Sequence, residues 1–171
     1  MQTQTAIKET IPTKTIFIKM VISAWETQNA RVKKLLDPLT DEQLLAETAP
    51  GRNSGVYLVG HLIAISDRLF PILGFGERLY PELDNAFIDS PDKSGIEVPT
   101  INKLKEYWDR VNNKLANHIS QMPADEWFNR HNNVSEADFA KEPFRNKLNI
   151  IINRTNHTSY HLGQLVYLEK K

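Results

Sequence analysis

Residues 100–122 place Ile101, Leu104, Trp108, Val111, Leu115, Ile119 and Met122 at three- and four-residue steps, and Pro123 closes the segment. An apolar stripe with that period occupies one face of an α-helix and matches no strand. Three more segments carry the same signature. Residues 15–36 hold Ile18, Val21, Ile22, Trp25, Val32, Leu35 and Leu36 on one side. Residues 54–70 open on Ser54, a suitable N-cap, and stop at Pro71, a helix breaker. Residues 144–169 run through Leu148, Ile151, His157, His161, Leu165 and Leu168. No alternating β-branched run bounded by hairpin turns competes with them. Four amphipathic helices of this length bury their stripes most economically against one another, which predicts an all-α four-helix bundle.

The remaining chain reads as connections. Residues 40–44 and 123–127 look like single helical turns with acidic N-termini. Residues 71–99, punctuated by Pro71, Gly74, Gly76, Pro81, Pro91, Gly95 and Pro99, form a long connection. Its length suits either a crossover between parallel neighbours or a flap over a functional site. Residues 1–14 are expected to be a flexible N-terminus, and 15–171 a single bundle domain.

Charge and cysteine content exclude several functions. Lys plus Arg and Asp plus Glu number 21 each, so no basic surplus supports nucleic-acid binding. The chain has no cysteine, which removes disulfides, thiolate ligands and a cysteine nucleophile, and leaves metal binding to His and carboxylates. The polar N-terminus lacks the apolar core of a secretory signal, and Lys, Asp or Arg interrupts each apolar stretch before the ~20 residues of a membrane span. The expectation is a cytoplasmic protein acting on a small molecule, without nucleic-acid or membrane partners.

Chemistry concentrates on three histidines. His157 and His161 stand four residues apart, which stacks them on one helical face one turn apart. His61, in Gly60-His61-Leu62, interrupts the apolar stripe formed by Leu58, Ile65 and Leu69. A polar group on a buried seam costs roughly 1–3 kcal/mol if it stays unpaired. Either each ring bonds a separate carbonyl or water, or one divalent metal satisfies all three and keeps a position open for water. Thr158 follows His157 where a zinc peptidase of the HExxH type needs its glutamate, so that class is excluded. No ExxH pair recurs on two helices to suggest a di-iron site, and there is no GxSxG, Walker or GxGxxG motif. His118, between Leu115 and Ile119, is a weaker candidate for a fourth ligand, and His131 reads as a solvated loop residue. Tyr57 and Trp25 read as core aromatics.

The order of these motifs resembles the DinB-like four-helix-bundle metalloenzyme family from about residue 15 onward. Gly60-His61-Leu62 matches the family's first metal histidine, His157 and His161 its closing pair, and Gln164 the glutamine that follows them. The resemblance implies a bundle with a long crossover connection, a divalent metal (zinc or nickel) on His61, His157 and His161, and homodimers. It also implies metal-dependent S-transferase chemistry with a small thiol such as bacillithiol or glutathione, or hydrolysis by an activated water. In that setting Arg154 is a candidate partner for an anionic group of substrate or cofactor, or else part of a surface ion pair. Gln164 is a candidate to orient His161 or the bound water. The alternative is a non-catalytic bundle whose metal is structural.

Overall fold

Polar side chains set the starts of three of the four long helices. Ser54 Oγ accepts from the Tyr57 amide at 3.3 Å, Thr100 Oγ1 from Lys103 at 3.4 Å and Asn146 Oδ1 from Asn149 at 3.0 Å. Each supplies an acceptor to an amide that the first turn leaves free. The computed structural model describes residues 11–169; positions 1–10 of the expected flexible N-terminus lie outside them. The helices are α1 (Thr13–Leu36), α2 (Asp41–Leu45), α3 (Gly55–Asp67), α4 (Leu69–Leu73), α5 (Leu83–Phe87), α6 (Ile101–Gln121), α7 (Glu136–Lys141) and α8 (Lys147–Leu165). Single 3-10 turns cover Glu126–Phe128 and Val166–Leu168. Among the described residues there is no strand, only two isolated bridges.

α1, α3, α6 and α8 form the bundle. α1 packs on α8 and α6, and α3 packs on α6 and α8. Trp25, Val32 and Leu36 of α1 meet Leu62 and Ile63 of α3, Trp108, Val111 and Leu115 of α6, and Ile151 and Leu165 of α8 in one buried core. Each such aliphatic or aromatic side chain contributes roughly 1.5–3 kcal/mol on leaving water. The α3–α8 contact positions the site, because the three histidines lie on those two helices.

The end of the second long helix differs from the sequence expectation. Instead of running to Phe70, α3 stops at Asp67, and α4 then continues through Pro71. Pro71 is the third residue of α4, where a backbone N–H would have no partner within the helix, so the ring does no harm there. The stop falls at Gly74, whose φ of 80° is left-handed and whose N–H bonds to Pro71 O at 3.3 Å. α8 likewise starts at Lys147, three residues later than expected, because Asn146 is its cap. α7 follows the Ser135 cap and Asp138, a start signal that the longer stripes obscured.

The long connection is a built wall beside α3. Asp67, fully buried, accepts from the amides of Leu79 and Tyr80 at 2.8 and 3.0 Å and from Arg78 Nε at 3.1 Å. Asp84 binds Arg78 and Arg68, and α5 packs along α3. The stretch Gly55–Leu73 is long and apolar enough to cross a membrane, with mean hydropathy 1.5, despite the Asp67 and Arg68 within it. Its two helices, α3 and α4, also sit in the core, with 61% of that window buried in the protein.

Candidate metal centre

His61 enters the site from α3 with its orientation fixed by α5. Its Nδ1 donates to the Phe87 carbonyl oxygen at 2.8 Å, and a carbonyl can only accept, so the proton sits on Nδ1. Nε2 therefore carries a lone pair, aimed inward. Gly60 permits this arrangement. A Cβ there would run into the Phe87 ring, which is itself almost fully buried. On α8, His161 Nδ1 lies 2.7 Å from Gln164 Oε1, with the Gln164 amide nitrogen turned toward Tyr160 Oη at 3.5 Å. That places a second proton on an Nδ1 and a second lone pair on an Nε2.

Between them stands His157. Its Nε2 lies 3.2 Å from His61 Nε2 and 3.1 Å from His161 Nε2, and its buried Nδ1 has no partner among the described residues. One nitrogen can donate at most one hydrogen, so His157 cannot satisfy both neighbouring lone pairs. With its proton on Nδ1, three lone pairs converge instead. The ligand atoms of the trio all lie within 4.8 Å of one another. A divalent cation at their focus answers all three at once, and the donor set suits zinc or nickel. The residues fit the metal that the sequence implies.

Electrostatics keep the rings in the ligating form. Burial pushes the His157 imidazole down to about 4, with His161, Arg154 and His61 adding to the shift. His61 is lowered by burial first, against its bond to Phe87, and then by the charges of Arg154 and Arg68. His161 is lowered by burial, partly offset by Gln164. All three are neutral at pH 7, so a metal displaces no proton from them.

The other sequence candidates fall into place around this centre. Arg154, one turn before His157, lies close enough for its charge to act on both His61 and His157. Among the described residues it forms no ion pair, and its Nε is buried without a partner. Tyr57, read as a core aromatic, stacks over His61 with ring centroids 6.4 Å apart and donates to Ser90 O at 2.9 Å. Tyr160 meets the His161 ring edge-on at 5.0 Å. Trp25 is a core residue, 2% exposed. His118 is not part of the trio; its ring stacks on Phe75 at 4.8 Å and meets Phe70 edge-on. His131 is buried rather than solvated, because Asn132 ties its loop to Ile72 O and Pro71 O beside α4. Phe87, whose carbonyl orients His61, escaped the sequence reading: a backbone acceptor has no residue signature.

Comparison with known proteins agrees with the fold. A family model described as the DinB superfamily matches residues 24–165, a span that includes His61, His157, His161 and Gln164. A crystal structure of a conserved protein from Enterococcus faecalis is similar with a TM-score of 0.61 and 15% identity, over 88% of this chain and 93% of that one. At that identity the likeness concerns the fold alone. No curated protein matches the chain.

Proposed function

The chain belongs to the DinB superfamily, and on that premise we propose that it is a divalent-metal enzyme with His61, His157 and His161 as its protein ligands. The observation that carries this reading is the convergence of the three Nε2 atoms around His157, which hydrogen bonding among neutral rings cannot satisfy. A zinc or nickel ion held there supplies a Lewis acid with coordination positions beyond the three nitrogens. The protein's own part is orientation and exclusion of protons. Phe87 O and Gln164 hold two rings with their lone pairs inward, and burial keeps all three neutral.

We propose small-thiol S-transfer as the reaction, with hydrolysis as the rival. The ligand cluster contains histidines and no carboxylate. Three histidines on a divalent ion leave a coordination position that can take a thiolate or a water, and the preference for S-transfer follows the family resemblance. The chain contributes no sulfur nucleophile of its own, so bacillithiol, glutathione or a similar small thiol would supply it. The test is a thiol panel added to the Co²⁺-substituted protein. A thiolate-to-cobalt absorption band with one thiol is the expected result and identifies the cofactor. Absence of any band, together with turnover of ester or amide substrates, would favour hydrolysis. The proposal further places the protein in the cytoplasm, as a homodimer.

A further inference from the structure

Charge around the site does not cancel. Arg68 and Arg78 are matched by Asp67 and Asp84: Arg78 binds both carboxylates, and Arg68 reaches Asp84 Oδ2 at 3.1 and 2.8 Å. Two cations and two anions leave that network neutral. Among the described residues Arg154 stands beside it with no hydrogen bond and no ion pair, and its Nε is wholly buried. Burial, followed by the charge of Arg68, pushes its guanidinium down to about 10, which still leaves it cationic at pH 7. An ion taken out of water without a partner is costly, and a packed apolar side chain would fill the position more cheaply. The residue as a whole is half-buried rather than fully enclosed. It points from the same face of α8 as His157 and His161, three and seven residues before them.

We propose that Arg154 is a binding residue for a compact oxyanion, a carboxylate or phosphate group of the substrate or thiol cofactor, seated beside the three histidines. This rests on the metal-enzyme reading for its biological meaning but not for its physical basis. A guanidinium offers two parallel N–H donors to two oxygens of such a group, and a charge-assisted pair of this kind is among the stronger polar contacts. Seating the anion there supplies the missing countercharge and holds the rest of the molecule next to the metal ligands.

The test uses protein stripped of metal by chelation. Inorganic phosphate and acetate are titrated separately at constant ionic strength, with chloride as the balancing salt, while the thermal midpoint is followed. A ligand that binds only the folded chain raises the midpoint in a saturable way. The expected result is saturation by at least one of the two anions. Arg154→Gln should raise the half-saturating concentration about tenfold or more, and Arg154→Lys by less. His61→Ala, which takes away one of the proposed metal ligands, should keep the anion response, so failure of the metal reading is distinguishable from failure of this one. No saturable response in the wild type, or an equal response in Arg154→Gln, would overturn the proposal. Should Arg154→Gln not fold, phenylglyoxal labelling of the wild type replaces it: phosphate is expected to protect Arg154, and unprotected labelling would overturn the inference.

Discussion

Gln164 and the Phe87 carbonyl decide whether the trio is a ligand set or three separate rings. Each removes one alternative tautomer, so that two lone pairs face His157 before any ion arrives. Removing one such orienting partner lowers metal affinity by roughly 10–100-fold in comparable centres. Gln164→Ala is therefore expected to weaken metal binding by about that factor in a competition titration with a chromophoric chelator. Gln164→Glu, which still offers an oxygen, should keep most of the affinity. The depressed imidazoles also set the stability of the metal-free protein. In the unfolded chain these histidines take up protons as pH falls through about 6.5, whereas folded His157 does so only near about 4. Between those values the unfolded state binds more protons, so stability rises with pH across the window and levels off above it. Urea midpoints measured from pH 4 to 8 should show this slope below 6.5, and a flat profile there would contradict the burial described for the trio.

At the scale of elements, α3 is held at close range to α5 by Gly60. The Phe87 ring fills the space a Cβ would need, and the same residue's carbonyl fixes His61. Gly60→Ala should cost about 1–3 kcal/mol in urea unfolding, as overpacked cores do. It should also reduce metal affinity, since the carbonyl must move with the ring. Much of this element map was legible in the residues. α1 and α6 follow from their apolar stripes, and His157 and His161 follow from a four-residue step. That His61 meets them was legible only as the order of two interrupted seams, because contact between helices is tertiary. Other features left weaker traces. Pro71 breaks a helix in the interior but not in a first turn, and the choice between those positions depended on where α3 stopped. His131 sits in a polar stretch, so its burial depends on backbone bonds from Asn132 to the α4 region that no composition reveals.

For the whole molecule, α1 leaves Ile16, Phe17 and Met20 exposed, and a shallow apolar groove joins this face to Ile152 of α8. Exposed apolar side chains gathered on one face suit self-association. Light scattering at micromolar concentration is expected to give twice the 19.6 kDa chain mass, and Met20→Lys to shift the population toward that single-chain mass. The monomer mass in the wild type would argue against a homodimer. Elemental analysis of protein purified without a metal-affinity tag tests the convergence of the three nitrogens on a metal most directly. One divalent zinc or nickel ion per chain in the wild type, lost in a His61→Ala variant that still folds, is the result expected from convergent lone pairs. No bound metal in the wild type, or equal content in the variant, would contradict it.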